Sequence, residues 1–121
     1  MFLWVDDIRT PPCDDWLWAR SVKETITAIK SYEHNWSDDS IVISLDHDAG
    51  DFAGDGGDYI RVLDWLEQTG IVDTGYFFHL HTMNPVGREN MERIIRKNGW
   101  RLVKQWMLWN LLRNAIGCVR A

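Results

Sequence analysis

Residues 40–46 read SIVISLD, a run in which apolar, largely β-branched side chains follow one another without alternating with polar ones. Unbroken apolarity over a strand-length segment suits a strand covered on both faces, as in a parallel sheet flanked by helices. The run stops on Asp46-His47-Asp48 and passes into HDAGDFAGDGGD (47–58), rich in glycine and aspartate. Two carboxylates and an imidazole therefore leave the end of a buried strand together.

The neighbouring segments fit the same plan. MFLWVDD (1–7) is a short apolar strand that also ends on two carboxylates, Asp6 and Asp7. Pro11-Pro12 excludes a helix directly after it. WLWARS (16–21) is a second short strand, and Ser21 with Glu24 forms an S-x-x-E capping box. The helix it opens carries Val22, Ile26 and Ile29 on one face and ends near His34–Asn35. A second helix is predicted from about Asp58 to Gln68, with Ile60, Leu63 and Leu66 inward and Gly70 as its stop. GYFFHLHT (75–82) is a strand. Asn84 then caps a helix with Pro85 in its first position, buries Met91, Ile94 and Ile95, and closes at Asn98-Gly99. Residues 100–121 form either a short strand plus helix or one long helix. Alternating strands and helices give an α/β class, three-layer, with a mainly parallel sheet and right-handed crossovers. The chain reads as one domain over 1–99, with 100–121 as a Trp-rich C-terminal extension packed on it.

Composition narrows the function. The 121 residues are 45% apolar, too many for a disordered chain. No apolar stretch reaches the ~18–20 residues of a membrane span, and no signal-peptide pattern opens the chain. Cys13 and Cys118 match no zinc or redox spacing and are compatible with a reducing cytosol, so a cytoplasmic location is the expectation. Residues 1–75 carry 16 Asp/Glu against 5 Lys/Arg, whereas residues 76–121 carry 2 against 8. Such a split suits a cation site facing an anion site, or simply basic solvated faces on the last helices. The overall charge of −5 argues against a general nucleic-acid coat. Eight tryptophans supply core or interface anchors, and those of the C-terminal segment offer a homo-oligomer contact.

Ligands of open α/β sheets bind at the carboxyl ends of the strands. Those ends read Asp6-Asp7, Asp46-His47-Asp48 and His81-Thr82-Met83-Asn84. Two like charges at ~4 Å cost roughly 4 kcal/mol at an effective dielectric of 20, so clustered carboxylates call for a divalent cation or a retained proton. Oxygen ligands favour Mg²⁺ or Mn²⁺, and a coordinating His47 or His81 would favour Mn²⁺. His47 can be a general acid/base, a metal ligand or structural; Asp48 can be a ligand or a turn former. His79, deeper on the strand than His81, reads as a hydrogen-bonded core residue. Thr82, Asn84, Gly87 and Arg88, at a helix N-terminus, form an anion site compatible with their capping roles. DFAGDGGD (51–58) lacks EF-hand spacing and reads as a mobile flap over the site.

Four ordered strings, WVDDIRTPP, WLWARSVKETI, ISLDHDAG and HTMNPVGRENM, resemble the cyclic-phosphate processing receiver-like family over residues 3 to about 95. Its pattern runs LDD-x-R-x-P, W-x-x-A/V-R-T/S, SLDHDLG and HSxNPxG. The resemblance implies a receiver/flavodoxin-like fold with a nearly lost first helix. It also implies processing of a cyclic phosphate on a nucleotide or at an RNA end. By position, Asp6 and Asp7 resemble the acidic metal-binding pair, Asp46 the receiver phospho-acceptor, and Arg9 the arginine of LDD-x-R. His81-Thr82 stands for His-Ser, and Asn84, Pro85 and Gly87 match NPxG. Val5 and Ala49 depart from the pattern, and Lys104 can stand for the receiver lysine only if residues 100–104 form a strand. The expected activity is a metal-dependent phosphoesterase, with Asp6, Asp7, Asp46 and Asp48 on the metal, Asp46, His47 and His81 catalytic, and Arg9, Thr82, Asn84, Gly87 and Arg88 on the phosphate. A cyclic-nucleotide-binding module without catalysis and a phospho-acceptor domain are the alternatives.

Overall fold

The apolar run becomes, over Val42–Leu45, the centre of a parallel sheet. The structure is a computed structural model that describes residues 1–34, 41–70 and 75–116. Its strands are β1 (Phe2–Val5), β2 (Leu17–Ala19), β3 (Val42–Leu45), β4 (Phe77–Leu80) and β5 (Arg101–Leu102). All pair in parallel, in the order β2-β1-β3-β4-β5. This is the receiver/flavodoxin-like order. The helices are α1 (Val22–His34), α2 (Ile60–Thr69), α3 (Pro85–Lys97) and α4 (Gln105–Ile116). Trp36 and residues 117–121, Cys118 included, lie outside the described residues.

Every residue of β3 is buried, as a strand covered on both faces must be. On one face Leu3, Val5, Ile43, Leu45, Phe78 and Leu80 meet side chains of α1, α2 and α3, among them Ile29, Leu63, Leu66, Met91 and Ile95. On the other face Phe2, Trp4, Val42 and Phe77 meet Trp16 and, from α4, Leu108, Trp109 and Leu112. The two faces differ because no helix separates β1 from β2. Pro11-Pro12 accounts for that loss, as the sequence implies. Trp16 fills part of the vacated layer, edge-on to Phe2 and Trp4 at centroid distances of 5.5 and 5.6 Å. Residues 100–116 resolve into a strand and a helix. Within α4, Leu108 and Leu112 are buried while Trp106 is 63% exposed.

The capping signals hold. The Ser21 hydroxyl accepts from the Glu24 N–H at 3.0 Å, although the Glu24 carboxylate reaches the Arg20 N–H, one residue before the cap. Asn84 Oδ1 accepts from the Gly87 N–H at 3.0 Å with Pro85 at N1. Gly70 ends α2 at φ +70. The glycine-rich loop differs from the flap expected of it. The Ser21 hydroxyl also binds Asp55 at 2.6 Å, Asp58 accepts from the Ala49 N–H at 3.0 Å, and a 3₁₀ turn spans Gly50–Phe52. Aspartates that looked like loop solvation are its internal fasteners.

Ser21 thus closes the start of α1 and anchors this loop at once. Ser21→Ala is expected to destabilise the fold by about 1–2 kcal/mol, read as a lower urea midpoint with an unchanged slope.

Candidate functional site

Sheet register sets the site. Val5 pairs with Ala19 on one side and Leu45 on the other, and Leu45 pairs with Leu80. The next residues along these four strands are Arg20, Asp6, Asp46 and His81. Their backbones stay aligned beyond the strands, since the N–H of Asp6, Asp46 and His81 donate to Ala19, Val5 and Leu45. One further residue along stand Asp7, His47 and Thr82.

Asp6 is almost wholly buried, at 1% exposure, and has three hydrogen-bond donors and one ion-pair partner. Its Oδ1 takes the Ile8 and Arg9 N–H groups, each at 2.9 Å; its Oδ2 takes His81 Nε2 at 2.9 Å and Arg9 Nε at 3.2 Å. Burial alone would raise its pKa. The His81 bond and the two backbone N–H bonds outweigh burial and hold the carboxyl far below the usual carboxylate range. Arg9 also reaches Asp46 Oδ1 at 3.4 Å, so its guanidinium bridges both carboxylates.

Asp6, Asp7 and Asp46 bring ligand oxygens within 4.8 Å of one another. Asp7 feels the unbalanced charge. Burial raises its carboxyl, and the charges on Asp6 and Asp46 raise it further, against a hydrogen bond from its own N–H. One half-exposed guanidinium therefore leaves the cluster short of positive charge. Three hard oxygen donors so placed fit Mg²⁺ or Mn²⁺. A Cβ at Gly50, where φ is +54, would land on the Asp7 carboxylate, so only glycine lets the loop approach so closely. Asp48 stands apart from this cluster. Its Oδ1 lies 2.8 Å from His47 Nδ1, and with Asp58 these two form a second group of donors.

His47 lies flat against the first turn of α3. A Cβ at Gly87 would collide with its ring, and Asn84 Nδ2 lies 3.5 Å from its Nδ1. Thr82 is buried and its hydroxyl accepts from the Asn84 N–H at 3.0 Å. Arg88 does not turn toward the carboxylates, because its Nη2 donates to the Thr82 carbonyl at 2.9 Å and braces the β4–α3 turn. Lys104 lies two residues past β5, exposed, and shares a cavity of about 380 Å³ with Thr82 and Arg88.

His81 and His79 belong to a buried chain. Ser44 Oγ lies 2.8 Å from His81 Nδ1 and 2.8 Å from His79 Nδ1. A carboxylate only accepts, so His81 carries its proton on Nε2 and donates it to Asp6. The bare Nδ1 of neutral His81 then accepts from the Ser44 hydroxyl, whose oxygen accepts from the Nδ1–H of His79. The His81 ring also stacks on Trp4 at 3.9 Å. Burial lowers the affinity of both imidazoles for a proton, against the pull of Asp6 on His81 and a Gln105 hydrogen bond on His79, and pushes His79 down to about 4. With both nitrogens engaged, His81 holds Asp6 in place.

This arrangement, an acidic pair after β1, an Asp after β3 and a hydroxyl after β4 on a 2-1-3-4-5 sheet, agrees with a family model that matches the chain: the cyclic-phosphate processing receiver domain, over residues 1–97. The chain belongs to that family. Membership associates it with cyclic-phosphate processing. No curated protein and no solved structure matches it. Among the described residues no helix is long and apolar enough to cross a membrane.

Sequence reading missed three residues around the carboxylates. Ser44 was counted as part of an apolar run. Arg20 was read only as motif; it donates to the Asp7 carbonyl at 3.1 and 2.6 Å from between the Trp18 and Phe52 rings. Tyr59 donates to the Arg20 carbonyl at 2.7 Å. A hydroxyl in a buried strand and an arginine two residues after a tryptophan were the available signals.

Two outcomes follow. Ser44→Ala strips a partner from two buried imidazoles and should cost about 1–3 kcal/mol per orphaned group in chemical denaturation. The His79 value lies below that of a free histidine, so the unfolded chain binds the proton that the fold refuses. Stability is fully present above pH 6.5 and declines as pH falls toward about 4, by roughly 3 kcal/mol from His79. His81 acts in the same sense and Asp7 in the opposite one. The difference in pH profile between the parent protein and His79→Gln isolates the effect.

Proposed function

We propose that the protein is a metal-dependent phosphoesterase that opens a cyclic phosphate carried by a nucleotide or an RNA end. The observation that carries this is the trio Asp6, Asp7 and Asp46, undercompensated by Arg9, beside a carboxylate-oriented histidine at a helix N-terminus. Asp6, Asp7 and Asp46 would hold Mg²⁺ or Mn²⁺. When bound, the ion supplies Lewis-acid stabilisation of charge on the phosphoryl oxygens.

His47 is the proton carrier in this reading. Asp48 engages Nδ1 and fixes the ring, which leaves Nε2 to pass a proton between the attacking water and the ester oxygen that departs. One P–O bond forms to water and one ring P–O bond breaks, with the proton ending on the sugar hydroxyl. Thr82 and Asn84, where the dipole of α3 is positive, hold the phosphate. Arg9 swings from the carboxylates toward the phosphate. Arg88 and His81 position the groups that touch substrate.

A second reading has one observation in its favour. Arg9 already gives Asp6 and Asp46 a positive neighbour, which suits a module that binds a cyclic nucleotide without metal and without cleavage.

Incubation with 2′,3′- and 3′,5′-cyclic nucleotides, cyclic dinucleotides and RNA with a cyclic end, each with Mg²⁺ or Mn²⁺, separates the two. The phosphoesterase reading expects turnover that chelation stops, that Asp46→Asn abolishes, and that His47→Gln lowers roughly 10²–10⁴-fold. Gly87→Ala should lower it too, by displacing the His47 ring while leaving the fold intact. A thermal shift with the ligand recovered whole, independent of metal, would establish the binding module.

A further inference from the structure

The helix missing between β1 and β2 leaves more than a loop. Beneath residues 8–12, on the α4 face, lies a cavity of about 560 Å³. That lies within the roughly 300–1,000 Å³ of small-molecule sites. Its walls include Trp4 from β1, Trp109 from α4, the imidazoles of His79 and His81, and the Gln105 side chain. Aromatic faces with the Gln105 amide and the Arg9 guanidinium at the rim suit a flat heteroaromatic ring that stacks and offers polar edges.

Proximity to the acidic cluster points to the kind of ring. Arg9, which bridges Asp6 and Asp46, also lines the cavity. So does His81, which is bonded to Asp6. A molecule whose phosphate sits at the carboxylates thus has this cavity one side chain away. We infer that the cavity receives the nucleobase of a free nucleotide bearing the cyclic phosphate. This deepens the phosphoesterase reading and rests on it for the place of the phosphate. An RNA strand is disfavoured by charge. The chain is −5 overall and residues 1–75 hold 16 of the 18 acidic groups, so further phosphates would meet repulsion.

Indole N–H signals of Trp4 and Trp109, assigned with Trp4→Phe and Trp109→Phe, report on the cavity by NMR. The titrants are nucleosides, 2′,3′-cyclic mononucleotides, a methyl riboside 2′,3′-cyclic phosphate without a base, and an oligoribonucleotide ending in a cyclic phosphate. Nucleosides alone should move both signals saturably without metal. Mononucleotides should bind more tightly than the base-free phosphate, and Trp109→Ala and the milder Gln105→Ala should weaken them roughly five- to 100-fold. Equal binding of the base-free phosphate, or signals unmoved at millimolar nucleoside, overturns the inference. Tighter binding of the oligoribonucleotide than of the mononucleotide overturns the assignment to a free nucleotide. Nucleoside binding without phosphate turnover upholds the base site while the phosphoesterase reading falls.

Discussion

A buried carboxylate with three hydrogen-bond donors and one ion pair governs this molecule. Asp6 is nearly inaccessible, and a charge so placed is tolerated only when its hydrogen-bonding capacity is met. Two of its donors are the Ile8 and Arg9 N–H groups, so satisfying Asp6 also turns the chain sharply after β1. A third is His81, which ties the end of β1 to the end of β4 across β3. The Arg9 guanidinium, which the same turn delivers, adds an ion pair. Because Asp6 can only accept, it also dictates the tautomer of His81 and, through Ser44, that of His79. Site geometry and the polarity of a buried hydrogen-bond chain descend from one side chain.

Loss of the first helix is the second constraint. An α/β sheet buries both faces, so removing one helix leaves apolar strand surface to be covered. Trp16 and α4 cover part of it, and the remainder is the aromatic-lined cavity beside Arg9. What in a full receiver would be helix packing is here a cavity next to the Arg9 and His81 side chains. The family relation and the cavity describe the same departure from the receiver plan.

The strand ends were legible in the sequence because three apolar runs each stop on chemistry-bearing residues, and parallel sheets place such ends on one edge. Asn84 and Ser21 were legible as caps because capping is local. What escaped depends on register across strands. Trp4 pairs with Ser44, and Ser44 with His79, so the buried polar line runs perpendicular to the chain, where periodicity carries no information. The partners of Asp48 and Arg88 escaped for a related reason: adjacency in sequence says nothing of whether a side chain turns to the cluster, to His47 or back to a strand carbonyl. The flap reading of residues 51–58 did not foresee their fastening, because aspartates that fasten a turn have the same composition as aspartates that solvate one.

The account stands or falls on whether the three carboxylates form a cation site. Crystals grown with Mn²⁺ and examined by anomalous scattering at the manganese edge give the direct answer. The account predicts one peak within bonding distance of Asp6, Asp7 and Asp46, with Arg9 withdrawn from both carboxylates and no peak in crystals of Asp46→Asn. Arg9 still bridging Asp6 and Asp46 at saturating Mn²⁺, with no peak between the carboxylates, would contradict it.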